Sequence, residues 1–294
     1  MADYRQSEEY IQYFSKKGWL VEKVGDTFAL IRKIPWIGSI IKVQRCDGNI
    51  SLNEIEKMAK ENRALFVVIE PDIKTEDTCY AQLEQTFKLN GYKDLNFFLS
   101  PTKTSYIDLT GSEEGILSSF DSNIRKSLRG SLKKDLSFRL SNNLEEFYSL
   151  LYEAGKRRDF SVQTFSDWKD KWGSFGSQAQ IILAYLDGKE LLGGNMFTIK
   201  PPVAFGLFLP TTEYCRSTQV AANLIWEGLK IAKKSGCTSF DLDGLYDDRY
   251  KSPKKWRGVT TFKRKFRGHE VEFMRPQVKV YAWYLKPLDW LRLL

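Results

Sequence analysis

Short apolar runs alternate with helical patterns along this chain, and that alternation limits its possible folds more than any other feature. The clearest run is Ala64–Ile69, which is followed by Pro71, a residue without a backbone donor for a sheet. Helical patterns precede this run at Ser51–Asn62 and follow it at Thr78–Asn90. Strands that alternate with helices form layers in which helices cover a sheet. The sequence therefore predicts an α/β fold with mixed sheets.

The same order of elements occurs again in the second half of the chain. A strand pattern at Ser105–Leu109 precedes a long helical pattern from Ser112 to about Lys134. Apolar residues at every fourth position give that helix one buried face. The elements expected after it are helices at Leu144–Arg158 and Ser217–Ser235 and strands at Gln180–Leu186, Leu191–Ile199, Val203–Leu209 and Ser239–Leu242.

The length of the chain fits two lobes. It has 294 residues, which is enough for two domains of about 100–150 residues each. The repeated order of elements places the junction near Phe97–Thr104. We predict a first lobe over residues 1–101, completed by residues 277–294, and a second lobe over residues 102–276.

The stretch Phe240–Phe266 is the most informative for function. It begins as a buried strand, turns at Gly244, crosses a charged loop and is predicted to re-enter a strand at Thr260–Lys263. The range Arg249–Arg267 contains nine Lys or Arg residues and no Asp or Glu. Together with the net charge of +8, this favours an anionic partner such as nucleic acid, a nucleotide or a lipid headgroup. A charge that serves only solubility is the alternative.

Histidine occurs once, at His269, and this argues against several mechanisms. A Ser-His-Asp or Cys-His mechanism would have to use this single residue. The cysteines lack the spacing of a metal site; they are Cys46, Cys79, Cys215 and Cys237. We expect no metal and no cofactor, and a reaction on a substrate that is already activated.

The ends of the chain bear on its location. No secretory apolar segment follows Met1, and scattered cysteines are typical of free thiols in a reducing cytoplasm. The tail Val280–Leu294 is apolar and aromatic, and Pro287 interrupts it. It could lie at a membrane surface or dock onto the protein's own core. The sequence predicts a cytoplasmic protein, with a peripheral position at the inner face of the plasma membrane as an option.

A basic stripe follows the long helix of the second lobe. Arg125, Arg129 and Lys133 are spaced by four residues, so they share one face. Such a stripe can follow phosphates, but a solvated helix face explains it equally well.

The motifs around this stripe carry a family resemblance. In order, they are Pro101–Thr104, Ile107–Leu109, Ser112–Glu114 and Asn123–Lys126. This order resembles the FemABX family of peptidoglycan bridge-forming aminoacyltransferases, in its compact form without a coiled-coil arm. The likeness extends over most of the chain, through Gln6–Tyr10, Gly18-Trp19, Leu65–Pro71, Phe240–Gly244 and Thr261–Phe266.

The resemblance implies both a fold and a reaction. The fold would be two tandem GNAT-like lobes. The reaction would transfer an amino acid from aminoacyl-tRNA, as co-substrate, to the stem-peptide amine of lipid II or UDP-MurNAc-pentapeptide, forming an interpeptide bridge. An aminoacyl ester is already activated, so the reaction needs positioning and a cation or dipole near the developing oxyanion.

The resemblance also assigns catalytic roles, and it places them in the second lobe. Lys263, next to Phe262, would be the cation near the ester carbonyl or the tRNA end. Asp241 would accept the amine proton; bonding of the following turn, together with Asp243, is the alternative.

Substrate contacts follow in the same way. Lys16, Arg125 and Arg129 would bind substrate, with Lys16 on the diphosphate of the acceptor. Gln163 is also expected to bind substrate, but it stands where relatives that bind nucleotide precursors have an arginine. The diphosphate contact of those relatives is then absent unless Arg157 or Arg158 supplies it. Phe205 and Phe208 stand where some relatives have tyrosines. A phenolic hydrogen bond is therefore either absent or supplied by Tyr214 or Tyr246. The residues expected to hold tRNA are Lys254, Lys255, Trp256, Arg257 and Arg264.

Two other functions remain open from the sequence. An acyl-CoA-dependent N-acyltransferase of the GNAT type needs a glycine-rich cradle for pyrophosphate before a helix, and the matching stretch Thr212–Ala222 has no glycine. A non-catalytic protein that binds tRNA or a cell-wall precursor would share the basic surface.

Overall fold

The predicted α/β class with mixed sheets is confirmed by a computed structural model that describes residues 3–131, 135–215, 220–250 and 256–285. The chain forms two compact units. The first comprises Met1–Lys103, Asp247–Pro253 and Val271–Leu294, and the second comprises Thr104–Tyr246 and Lys254–Glu270. Residues 286–294 of the predicted C-terminal segment, and with them most of the apolar tail, lie outside the described residues.

The first unit is built on a six-stranded sheet with the order β1-β2-β3-β4-β13-β5. Its strands are β1 Leu20–Val24, β2 Thr27–Ile34, β3 Gly38–Cys46, β4 Ala64–Pro71, β5 Lys93–Asp94 and β13 Gln277–Val280. Strands β3 and β4 are parallel, while β1, β2 and β3 form an antiparallel meander. The helices are α1 Glu8–Lys16, α2 Leu52–Glu61 and α3 Tyr80–Leu89.

Local sequence explains where these helices begin. The Ser7 hydroxyl accepts from the Tyr10 N–H, and the Ser51 hydroxyl accepts from the Glu54 N–H. Each serine thus satisfies a donor that the first helical turn leaves unpaired. In α2, Ile55 is fully buried against β-strand residues of this unit, so the helix covers the sheet as the alternating pattern predicts.

A seven-stranded sheet, in the order β12-β6-β11-β10-β9-β8-β7, is the second mixed sheet. Its strands are β6 Lys103–Asp108, β7 Leu136–Ser141, β8 Ala179–Leu186, β9 Glu190–Lys200, β10 Val203–Phe208, β11 Ser239–Asp241 and β12 His269–Glu272. The helices are α4 Glu113–Ser119, α5 Ser122–Ser131, α6 Leu144–Arg158, α7 Phe165–Phe175, α8 Val220–Lys234 and α9 Trp256–Arg264. Short 3₁₀ helices occur at Tyr4–Gln6, Gly176–Gln178 and Trp283–Leu285.

One parallel strand pair organises the second unit. Strands β10 and β11 are parallel, and the chain between them contains α8, as a parallel connection requires. Helix α8 packs its apolar face on the sheet through Leu224 and Leu229, which are buried in the core cluster of this unit.

The predicted long helix from Ser112 to about Lys134 is wrong, because the chain breaks it at Phe120. The Phe120 backbone is extended, and its ring is fully buried, 5.2 Å from the Phe266 ring and 5.8 Å from the Trp226 ring. Two helices on either side of a break can still share one apolar face, so the four-residue spacing alone could not reveal it. Residues 132–134, including Lys133, lie outside the described residues.

The predicted strand at Thr260–Lys263 is also wrong, since these residues belong to helix α9. The β-branched pair Thr260-Thr261 favours a strand locally. Tertiary contacts override that preference. Residues three positions apart lie on the same face of a helix, so Thr260 and Lys263 both face the segment that follows β11. The Thr260 Oγ1 accepts from the Tyr246 N–H at 2.6 Å.

Helix α7 was not predicted.

Across the described ranges, every helix is too short or too polar to cross a membrane.

The core of the second unit allows a direct test of its packing. A Cβ on Gly194 would stand 2.9 Å from Cδ2 of Phe147 and 3.0 Å from Cδ2 of Leu183. We expect Gly194→Ala to lower the free energy of unfolding by about 1–3 kcal/mol. Around Gly173, inside α7, an added Cβ would meet no atom within 4 Å, so Gly173→Ala should raise stability by about 0.5–1 kcal/mol. Denaturant unfolding of both variants measures the difference, and equal effects would contradict the described packing.

Candidate active site

The parallel pair β10–β11 opens at its carboxyl end. Its ladder ends at the pair Phe205 and Asp241, whereas β10 continues to Phe208. On its other side, β10 pairs with β9 through a register shift between Gly206 and Phe208. Ligands of open α/β sheets bind beyond the carboxyl ends of parallel strands. We therefore expect a ligand-binding site in the segment that follows β11.

A tight turn follows β11 and is held by the carboxylate of Asp241. This buried carboxylate accepts hydrogen bonds from the Thr104 hydroxyl and from the Asp243 N–H, the latter at 2.7 Å. Asp243 has φ 58°, in the left-handed region that aspartate tolerates better than most residues. A bond from an Asp side chain to the backbone two residues later is an Asx-turn. Turn bonding, one of the alternatives for Asp241, is thus present.

The side chain of Lys263 ends on this turn. Its Nζ donates to the carbonyl oxygens of Gly244 at 2.9 Å and Asp243 at 3.1 Å. Burial lowers the pKa of Lys263 below its usual value, while the Asp243 and Asp241 carboxylates oppose that shift. An ammonium group has three N–H donors. Two of them bind these carbonyls, so one donor remains for an oxygen at the end of β11.

Phe262, beside this lysine, faces the core. Its ring is half-buried against the core cluster of the second unit and lies 5.6 Å from the Phe266 ring in an edge-on arrangement. An edge-on pair of this kind stabilises packing. Phe262 therefore anchors the last turn of α9, where Lys263 lies.

A cation–aromatic pair lies at the start of the same helix. The Arg257 guanidinium stands over the Tyr246 ring, 4.9 Å from its centre, and its Nη2 lies 3.4 Å from the Tyr246 hydroxyl. Arg257 is exposed and Trp256 is half-buried. Lys254 and Lys255, which the sequence also assigns to tRNA, lie outside the described residues.

Two predicted phosphate-binding arginines have partners within the protein. Arg264 pairs with Glu270 through contacts of 2.6 Å and 3.0 Å. Arg125 donates to the carbonyl oxygens of Ser118 and Phe120, at 2.9 Å and 2.6 Å. Those carbonyls lie at the end of α4, where the helix has no further N–H groups to bond them. Arg129, in contrast, is exposed in the last turn of α5.

The other predicted substrate residues lie outside the Asp241–Gly244 turn and α9. Lys16 is exposed at the end of α1, in the first unit. Gln163 is exposed in the α6–α7 loop, where its backbone carbonyl accepts from Tyr148 at 2.9 Å. Tyr214 is exposed between β10 and α8.

The two arginines considered as substitutes for the missing contact at Gln163 both reach Thr211, beyond the end of β10. Arg157 donates to the Thr211 carbonyl, and Arg158 lies 3.3 Å from the Thr211 hydroxyl. Their guanidinium groups therefore already have protein partners.

Thr104 is the site residue that sequence reasoning missed. It was part of a recognised motif, Pro101–Thr104, but had no assigned role. Its importance depends on the antiparallel pairing of β6 with β11, which sets Tyr106 opposite Asp241. No local pattern reveals that register.

The Thr104 hydroxyl offers a test of the turn. We expect Thr104→Val to lower the free energy of unfolding by about 1–2 kcal/mol, because it leaves the buried Asp241 carboxylate with one donor fewer. Thr104→Ser keeps the donor and is the matched control. Chemical denaturation measures both variants. Equal stability of the valine and serine variants would show that the hydroxyl does not hold the turn.

Comparison with known proteins supports the predicted resemblance. The model of the FemAB family matches residues 49–195, which is half of the chain. The lipid II:glycine glycyltransferase of Staphylococcus haemolyticus (strain JCSC1435) is 27% identical over 150 residues, covering 48% of this chain and 36% of that protein. The chain thus spans little more than a third of that relative's length.

Solved structures agree on the fold. FemX superposes with a TM-score of 0.82 at 16% identity, over 97% of this chain and 94% of that one. L-PGS from Bacillus licheniformis gives 0.59 at 13% identity, over 98% and 96%. A tandem GNAT protein from the clavulanic acid biosynthesis pathway gives 0.52 at 10% identity, over 86% and 78%. The expected tandem GNAT-like fold is confirmed, and the family match over half of the chain establishes that this protein is a member of the FemAB family.

Proposed function

We propose that this protein transfers an aminoacyl group from aminoacyl-tRNA to the stem-peptide amine of a peptidoglycan precursor, as part of interpeptide bridge formation. The observation that carries the proposal is the ammonium of Lys263, held by the Asp243 and Gly244 carbonyls beyond the end of β11. Family membership gives the class of reaction, and this cation gives it a chemical centre.

The remaining donor of Lys263 suits the charge that develops in this reaction. The acceptor amine attacks the ester carbonyl carbon of the aminoacyl-tRNA, and the carbonyl oxygen becomes negative. A fixed cation in a partly buried site stabilises that oxygen more than water would. The C–N bond then forms, the ester C–O bond breaks, and the proton lost by the amine balances the one gained by the ribose oxygen.

The buried thiols of Cys46 and Cys215 are poor candidates for a covalent intermediate. Burial raises the pKa of Cys46 far above its usual value, and Cys215 is buried and donates to the Leu192 carbonyl. Thiolates are the reactive form of cysteine, so these groups stay inert. Direct attack of the amine on an activated ester needs neither a thiolate nor a histidine base.

The tRNA end would bind at the start of α9. The exposed Arg257 over the Tyr246 ring offers a flat cationic surface on which a base can stack. Trp256 lies next to it in sequence, and Lys254 and Lys255 would add contacts to phosphates. We assign Arg264 and Arg125 to internal contacts, and Arg129 is an exposed cation of the α5 stripe.

The acceptor and the amino acid follow from the relative. The matched protein is named as a lipid II:glycine glycyltransferase. We therefore propose a lipid-linked acceptor before a nucleotide-linked one, and glycine as the first amino acid to test.

The direct experiment supplies the purified protein with labelled aminoacyl-tRNAs, first glycyl-tRNA and then a mixed pool. Lipid II and UDP-MurNAc-pentapeptide are offered in separate reactions. Transfer of label to either precursor supports the proposal. Turnover of acetyl-CoA on peptide amines without transfer from tRNA would contradict it, as would tight tRNA binding with no transfer to either acceptor.

The role of Lys263 is tested by Lys263→Met, which keeps the length of the side chain but removes the ammonium. We expect transfer to fall by about 10²–10³-fold, the usual cost of losing one oxyanion donor. Lys265→Met, two residues away on the same segment, is the matched control and should keep most of the activity. Similar losses in both variants would show that general positive charge, and not the Lys263 position, supports transfer.

A further inference from the structure

The turn between β2 and β3 in the first unit has an unusual composition. The Ile37 N–H donates to the Ile34 carbonyl at 3.1 Å, which closes a four-residue turn with Pro35 in its second position. Trp36 occupies the third position with φ 66°. That position of a type II turn normally takes glycine, because a positive φ strains any side chain. A bulky aromatic residue there is a backbone outlier.

Burial does not offset this strain. Trp36 is 104% exposed and Ile37 is 57% exposed. A tryptophan in a core would gain free energy from the water it sheds, but here the whole indole ring lies in solvent. A strained residue that contributes nothing to packing points to a role outside the folded chain.

Three cationic residues lie close to the turn in the sheet. Register places Arg32 and Lys33 just before the turn on β2, opposite Ile40 and Ser39 of β3. The Arg63 carbonyl accepts from the Ser39 N–H at 3.1 Å, so Arg63 enters β4 beside the turn. All three cationic residues are at least partly exposed.

Two carboxylates lie near this end of the sheet, and each has a partner within the protein. Glu61 lies 3.9 Å from Lys57, one turn earlier on α2. Glu22, on β1, accepts from the Asn62 side-chain amide at 3.2 Å. The exposed Lys60, at the end of α2, adds a further positive charge. Exposed cations outnumber these two carboxylates, so the surface around the turn is basic, with two apolar side chains at its tip.

We propose that this turn docks the protein on an anionic phospholipid surface. Trp36 and Ile37 enter the interface between headgroups and acyl chains, where tryptophan is favoured because its ring is apolar and its N–H is polar. Lys33 and Arg63 lie at the level of the phosphates, and each adds attraction to an anionic surface. The Arg32 guanidinium donates to the Lys17 carbonyl, so it adds positive charge near the turn without a direct phosphate contact.

The small size of the tip favours lipid over a protein partner. One tryptophan side chain buries about 150–250 Å², whereas a stable protein interface buries about 1,200–2,000 Å². Two protruding side chains cannot form such an interface by themselves. They can penetrate a bilayer surface when nearby basic residues attract the anionic lipids.

This inference goes beyond the proposed reaction and does not depend on it. The turn belongs to the first unit, while the Lys263 site belongs to the second. Docking would bring the protein to the surface where a lipid-linked acceptor lies. Vesicle binding can succeed or fail whether or not aminoacyl transfer is observed.

The test measures co-sedimentation of the full chain with vesicles of phosphatidylglycerol and phosphatidylcholine. We expect binding that weakens with added salt and is much weaker on pure phosphatidylcholine. Trp36→Gly should reduce binding by about tenfold or more, while thermal stability stays equal or rises because glycine relieves the strained φ. This combination separates docking from misfolding.

Leu89→Ser is the matched control, since Leu89 is 80% exposed on α3 in the same unit, next to the opposite edge strand of its sheet. It should leave vesicle binding unchanged. Equal binding of the wild type and Trp36→Gly would overturn the proposal. So would a dimer in solution that Trp36→Gly dissolves, because the turn would then be a contact between copies of this chain.

Discussion

The bond between one ammonium group and two backbone carbonyls is the constraint on which the candidate site depends. Lys263 reaches from the last turn of α9 to the carbonyls of Asp243 and Gly244. Those carbonyls point to the lysine because the Asp241 carboxylate holds the turn and Thr104 holds the carboxylate. Each of these contacts fixes the next group, so protein groups alone position a cation beyond β11. Burial opposes the charge, since removing an ammonium from water costs free energy.

The basic residues of the chain divide by what they contact. Arg125 closes the end of α4, and Arg264 pairs with Glu270. Arg257 is exposed over an aromatic ring, which is an arrangement suited to a nucleotide base. Counting charges along the sequence could not separate these roles, because carbonyl groups and carboxylates from other elements decide which cations stay available.

Most of the fold, but only part of the candidate site, could be predicted from the sequence. Helix α6 and the hairpin of β8 and β9 were predicted because apolar spacing and turn residues agree there. The break at Phe120 and the helical state of Thr260 were not, because long-range packing overrides local preference at both places. For the site, the motif around Lys263 was found through family resemblance. The role of Thr104 depends on strand register, and the strain at Trp36 depends on a backbone angle that no sequence pattern reveals.

The most direct test of the account is the titration of Lys263 itself. NMR of the protein labelled with ¹⁵N-lysine can follow each ammonium group with pH, and Lys263→Arg identifies the signal by its loss. We expect Lys263 to titrate at lower pH than the exposed lysines, because burial disfavours its charged form. A signal that titrates together with the exposed lysines would place the ammonium in solvent and contradict the proposed site.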